Sequence, residues 1–197
     1  MRTILLTGFG IFGEHSDNPT THIVSAMDGR HIEGVAIKGL VLPVEFDEAP
    51  VQVMEWVEKN GLPDALVMLG MAAGRQEITP ERVAINWGEG KTRRAVRSPG
   101  KLLEEGPDGL FSRLPNEAFV KRLMKEGWGA RMSNTAGTYV CNALMYHVLY
   151  NWPSLAAGFI HVPPHVGATK EQTRWTLPDL ERAVEQILSE TIRSSIS

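Results

Sequence analysis

Short apolar runs that alternate with segments of helical period constrain the fold of this chain more than any other property. Thr3 to Thr7, Val35 to Leu42, Ala65 to Leu69, Arg82 to Asn86, Ala130 to Ser133 and Gly158 to Val162 have the length and composition of buried strands. Between them, Asn18-Pro19 predicts a helix cap with proline in the first turn, opening a helix that runs to about Met27. Ala49 to Asn60 has helical period, and Gly61 ends it. Glu117 to Lys125, Thr138 to Tyr150 and Pro178 to Ile192 complete the helices, the last followed by a Ser-rich tail. Strands that take turns with helices bury their apolar faces against them, which predicts an α/β sandwich. A 43% hydrophobic content over 197 residues suffices for one sizeable core, and no internal repeat divides the chain, so residues 1–197 are expected to form a single domain.

The net charge of -3 gives no general electrostatic reason to bind nucleic acid or an anionic membrane. No apolar stretch approaches the roughly 18 residues needed to cross a bilayer. The start, Met1-Arg2-Thr3-Ile4-Leu5-Leu6-Thr7-Gly8, is too short an apolar run for a signal peptide, and one cysteine cannot form an internal disulfide, so a reducing cytoplasm is the expected compartment. Gly88 to Gly109 breaks the alternation. There Lys91, Arg93, Arg94, Arg97 and Lys101 precede Glu104, Glu105 and Asp108 among glycines and prolines, which predicts a long loop that is either a solvated surface or a lid or interface element.

The single cysteine, Cys141, lies where the small-residue turn Asn134-Thr135-Ala136-Gly137-Thr138 feeds into a helix. An unpaired cysteine commonly serves as a small core hydrophobe. At a helix start, however, the positive end of the helix dipole is expected to favour thiolate and lower the thiol pKa from about 8.5, making Cys141 a candidate nucleophile. A thiol nucleophile needs an imidazole to take its proton and return one to the leaving amine. His147 is six residues further along the same helix, about 240° around it, and is poorly placed. His15, His22 and His31 have no local features that mark them as catalytic. His161 ends the apolar strand Gly158-Phe159-Ile160, at the edge where open α/β sheets bind ligands, although a satisfied core histidine would look the same; His165 is the second choice. An imidazole in turn needs a group to fix its tautomer. Glu81, at the entrance to the β run Val83-Ala84-Ile85, and Glu77 are the candidates, with a surface ion pair as the alternative for Glu81.

Gly8-Phe9-Gly10-Ile11-Phe12-Gly13 follows a strand and matches G-x-G-x-x-G. A dinucleotide cradle requires the helix to begin within the glycines, yet residues 14–18 intervene before the helix start at Pro19. Phe9 and Phe12 in the variable positions fit the flat walls of an apolar pocket better, or a plug at the end of the sheet.

Taken together, Thr7-Gly8-Phe9-Gly10-Ile11-Phe12-Gly13 with Asn18-Pro19, Gly74-Arg75 through Thr79-Pro80-Glu81-Arg82-Val83-Ala84-Ile85-Asn86, Ala136-Gly137-Thr138-Tyr139-Val140-Cys141-Asn142 and Gly158-Phe159-Ile160-His161-Val162-Pro163 resemble the pyroglutamyl peptidase I family, the pyrrolidone carboxyl peptidases. The resemblance implies a three-layer α/β/α sandwich of the phosphorylase/hydrolase type, with a mixed, mostly parallel sheet. It implies a cysteine omega-peptidase that needs no metal or organic cofactor and acts on peptides with an N-terminal pyroglutamyl group, commonly as a cytoplasmic homo-oligomer, a dimer or tetramer. By motif position, the nucleophile falls on Cys141, the general base on His161 and the orienting carboxylate on Glu81; by their chemistry Phe9 and Phe12 suit the walls of the substrate pocket, with Tyr139 as a third surface and Val140 as a further substrate-binding candidate. Pyroglutamate is an uncharged lactam, so its pocket calls for apolar walls and a few polar groups rather than a carboxylate for an ammonium. The chain departs from the family pattern at Ile11, where proline is usual, in Gly88 to Gly109, and in Pro163-Pro164-His165-Val166-Gly167.

Overall fold

The structure, a computed structural model, describes residues 2–13, 15–168 and 173–196. Its central sheet has the strand order β2-β3-β1-β4-β10-β5. The four long strands, β1 (Thr3–Phe9), β3 (Val35–Leu42), β4 (Ala65–Met71) and β10 (Ala156–Val162), run parallel. The two-residue strands β2 (His31–Ile32) and β5 (Thr79–Pro80) close the edges in antiparallel sense.

Every residue of β4 is buried, as expected of a central parallel strand covered on both faces. Alternate residues supply two cores. Ile4, Leu6, Val67, Leu69, Ile160 and Val162 pack on helices α1 (Pro19–Met27), α3 (Asn116–Lys125) and α5 (Leu177–Thr191). Leu5, Leu66, Met68, Ala157 and Phe159 face α2 (Glu48–Asn60) and α4 (Val140–Asn151). The result is the three-layer α/β/α arrangement, with a mixed and mostly parallel sheet.

The helix ends follow their local chemistry. Asn18 accepts from the Thr20 amide at 3.1 Å ahead of Pro19, and Thr176 with Asp179 forms a capping box at the start of α5. Gly61 stops α2 with φ of 86°, a left-handed conformation that favours glycine. No helix of the described residues is long and apolar enough to cross a membrane.

Three expectations are corrected. Ala130 to Ser133 is not a strand; it makes only the isolated bridges Ile78 to Ala130 and Glu81 to Ser133 along the margin of β5. The run Arg82 to Asn86 contains a strand, β6 (Val83–Ile85), but one outside the main sheet, paired with β9 (Gly109–Phe111). Gly88 to Gly109 is not an irregular loop, because β7 (Gly88–Lys91) and β8 (Val96–Gly100) form an antiparallel hairpin within it. The hairpin strands consist of Gly, Glu, Lys, Val, Arg, Ser and Pro, so no apolar alternation marks them. Contacts at the tip hold them instead. The Thr92 amide donates to the Ala95 carbonyl (2.8 Å), the Thr92 hydroxyl donates to buried Glu45, and Arg94 pairs with Glu48 at the start of α2.

Asn142, fully buried on α4, fastens that helix to β6. Its Oδ1 accepts from the Ile85 amide, and its Nδ2 donates to the Ile85 and Trp87 carbonyls, all at 2.9 Å. Asn142→Ala strands these backbone groups and should cost about 3 kcal/mol, at roughly 1–3 kcal/mol per unsatisfied buried group, read as a lowered urea midpoint with an unchanged m-value.

Candidate active site

The parity of β10 determines what its last residues face. Ala157 and Phe159 point to the α2/α4 layer, so His161, two residues on, faces the start of α4, where Cys141 is the second helical residue. His161 is paired across the sheet with Gly70 of β4. A Cβ at Gly70 would lie 2.7 Å from Phe159 Cζ and 3.1 Å from Cys141 Sγ, so the sulfur rests on bare backbone that only glycine provides.

On the other side of β10, β5 pairs Thr79 with His161 and the Glu81 amide donates to the Phe159 carbonyl at 2.8 Å. This brings the Glu81 side chain, fully buried, to His161 Nδ1 at 2.7 Å. The carboxylate accepts from Nδ1–H, so in the neutral ring the acceptor lone pair lies on Nε2. Asn116 Nδ2 holds the Glu81 carbonyl at 3.0 Å. Arg75 Nη1 donates to the same Glu81 Oε1 at 2.6 Å and to Thr79 Oγ1 at 2.6 Å, while its Nη2 reaches the Thr135 carbonyl at 3.2 Å, in the turn before Cys141.

Burial alone would raise the Glu81 pKa. The hydrogen bond and charge of His161, helped by Ser133 and Arg75, more than offset it and hold the carboxyl below its ordinary value. Cys141 behaves contrary to expectation. Although the residue keeps some exposure at the cavity surface, protein surrounds the sulfur, and desolvation with the nearby Glu81 charge pushes the thiol up to about 12 against the smaller opposing pull of its own backbone N–H and Arg75. The helix dipole is worth about 0.3–1 kcal/mol, whereas burial shifts ionisable groups by up to several pKa units, so burial prevails.

Cys141 and His161 open onto one cavity of about 150 Å³, walled by Phe9, Phe12, Val44, Met71, Ala136 and Tyr139, with Asn18 as its other polar member. That is roughly the size of a cavity that takes one benzene ring. Among the described residues, no carboxylate lines it. Asn18 Nδ2 donates to the Gly10 carbonyl at 2.9 Å and so also holds the aromatic loop. Tyr139, the residue before α4, meets Phe46 edge-on at 5.4 Å and donates its hydroxyl to the Lys91 carbonyl at 2.9 Å.

Thus Phe9, Phe12 and Tyr139 surround the same space as Cys141 and His161, and Glu81 stands behind the imidazole. Val140 is different: its side chain is fully buried in the core beneath α4 and does not line the cavity. Glu77 pairs with Arg131 at 2.7 Å and is 43% exposed, away from the imidazole. His165 sits near Asp17 (3.4 Å), which also holds His22. In the glycine-rich turn the Phe9 amide is taken by Thr20 Oγ1 and the Gly10 amide by the Leu42 carbonyl, which leaves neither for a phosphate. Sequence reasoning gave no role to Arg75, Val44 or Met71. Arg75 looks like a turn arginine, and its only signal is Thr79 and Glu81 four and six residues on.

Comparison with known proteins bears on the same arrangement. A family model described as pyroglutamyl peptidase matches residues 2–194. The pyrrolidone-carboxylate peptidase of Halalkalibacterium halodurans is 41% identical over 201 residues, covering 95% of this chain and 98% of that protein. That of Oceanobacillus iheyensis is 39% identical over 193 residues, covering 94% and 96%. Among solved structures, the pyrrolidone carboxyl peptidase from Thermococcus litoralis superposes with a TM-score of 0.93 at 29% identity, covering 98% of this chain and 94% of that one. A mutant pyrrolidone carboxyl peptidase from P. furiosus gives 0.90 at 29% identity, covering 98% and 99%. With the matched region running through the turn at Phe9, the Glu81 segment, the start of α4 and the end of β10, the chain belongs to the pyroglutamyl peptidase family.

Proposed function

We propose that this chain removes N-terminal pyroglutamyl groups from peptides as a cysteine omega-peptidase, with Cys141 as nucleophile, His161 as general base and acid, and Glu81 as the carboxylate that orients the imidazole. The observation that carries this assignment is one small apolar cavity in which a lone thiol and an imidazole meet, the imidazole held from behind by a buried carboxylate at 2.7 Å. The family membership and the names of the relatives support the substrate class.

The lactam ring enters between Phe9, Phe12 and Tyr139. An ordinary N-terminal ammonium would lose its water there with no carboxylate to receive it, so the cavity selects an uncharged cap. Because the resting thiol is protonated, His161 Nε2 takes the Sγ proton as sulfur attacks the pyroglutamyl carbonyl carbon. The oxyanion forms beside the Cys141 amide at the start of α4. As the intermediate collapses, the C–N bond breaks and the imidazolium gives its proton to the departing amine, leaving a thioester. Water then attacks the thioester carbonyl, His161 takes its proton, and the proton returns to sulfur as pyroglutamate leaves. Glu81 remains charged throughout and stabilises each imidazolium state.

Cys141→Ala should abolish release of a reporter amine from a pyroglutamyl amide while leaving circular dichroism unchanged; undiminished turnover refutes the mechanism. Glu81→Gln should lower kcat by about 10²- to 10⁴-fold with little change in KM, as expected when an imidazole loses its orienting charge, whereas His165→Ala should stay near the parent. With the thiol near 12, iodoacetamide labelling of the substrate-free enzyme should be slow at neutral pH and still climbing at about pH 10, since only thiolate reacts. Substrate should protect. A labelling plateau below about pH 8 would mean that His161 already holds the proton at rest.

A further inference from the structure

Glu81 Oε1 receives two donors, His161 Nδ1 at 2.7 Å and Arg75 Nη1 at 2.6 Å. A carboxylate serving an imidazole alone puts its whole negative charge at the service of the protonated ring. Here a permanent cation shares the same oxygen. The guanidinium is held in place independently, by Thr79 Oγ1 at 2.6 Å and the Thr135 carbonyl at 3.2 Å, and it is only 24% exposed. Its fork therefore spans the segment that carries Glu81 and the turn that leads into Cys141. The titratable and charged groups facing the imidazole are Glu81 from the segment after β5, Cys141 from α4 and, through Glu81, Arg75 from the turn after β4.

Resting on the assignment of Cys141, His161 and Glu81 above, we propose that Arg75 is a positioning residue that sets the basicity of His161 by sharing Glu81 Oε1. One contact has two effects. The cation keeps the buried carboxyl ionised, so the imidazole always finds an acceptor on Nδ1. It also offsets part of the negative charge, so imidazolium is less favoured than beside an unshared carboxylate, and the ring gives up its proton to a leaving amine more readily. Direct contact with substrate is no part of this role, since Arg75 does not line the cavity.

The sign of the pH effect is fixed by this geometry. Loss of a nearby cation favours imidazolium, and the reaction begins with neutral His161, so the acid limb of kcat/KM moves to higher pH. Arg75→Gln should shift that limb upward by about one pH unit, as expected when the carboxylate facing the ring no longer shares its charge with a cation, and lower kcat about tenfold near neutral pH, with KM within about twofold. Arg75→Lys restores the charge and should return the limb to within about 0.3 unit of the parent while recovering only part of kcat, because an ammonium cannot span Glu81 and Thr135 together. In a Glu81→Gln background, Arg75→Gln should add a clearly smaller shift, because only the direct field of the guanidinium is then lost. Where the Gln variant fails to fold, Arg75→Met serves as the uncharged replacement and is read in the same way.

An acid limb that stays in place in the folded uncharged variant overturns the proposal, as does an equal shift with and without the Glu81 carboxylate. A purely structural arginine would lower thermal stability and alter KM without moving the limb. The catalytic assignment itself is judged separately: full turnover by Cys141→Ala or His161→Ala refutes the triad whatever the Arg75 variants do.

Discussion

Strict alternation in a strand buried on both faces governs the site. Ile160 and Val162 must enter one core, and Ala157 and Phe159 the other, so His161 faces α4 because its neighbours are apolar and have only one place each to go. A slip of one residue in β10 would turn the imidazole to the α1/α5 layer and put Ile160 or Val162 over the sulfur. The meeting of His161 and Cys141 at one cavity is therefore protected by the whole hydrophobic register of the sheet. Gly70 contributes through the same register, as the position opposite His161 where the backbone stays bare beneath the sulfur.

The local electrostatics follow from that enclosure. The sheet and α4 desolvate both the thiol and the carboxylate, but only the carboxylate is supplied with side-chain donors. Glu81 stays charged because an imidazole and a guanidinium converge on one oxygen. Among the described residues no cation pairs with Cys141, which stays a thiol. The chain thus stores its negative charge one residue behind the cavity instead of in it, which keeps the cavity neutral for an uncharged lactam.

Much of this was legible in the sequence, for identifiable reasons. The long parallel strands and the helices have strong apolar periodicity and clear caps, so Asn18-Pro19 and the Thr176 to Asp179 box mark their helices from local chemistry alone. The residues brought together at the site lie in compact motifs at strand and helix ends. The parts that were not legible depend on distant contacts. The β7–β8 hairpin is held by Glu45 and Glu48, some 45 residues earlier in the chain, and no local pattern carries that information. The state of the Cys141 thiol depends on how completely the fold surrounds the sulfur, which helix position does not reveal. Val140 stands beside Cys141 in sequence, yet it turns into the core on the opposite side of the helix start.

The hairpin carries a consequence for how such a cavity can be reshaped. Tyr139, one of its walls, is gripped by Phe46 and by the Lys91 carbonyl, and Gly90 leaves room for the ring only because it has no side chain. Phe46 in turn lies under Arg97 from β8. The wall is therefore a composite of three stretches of chain. Apart from Gly90, residues 44–48 and 88–97 reach the cavity through its wall and make no hydrogen bond to the side chains of Cys141, His161 or Glu81, so substitutions there reshape the space beside the sulfur and leave the buried carboxylate and imidazole pair in place.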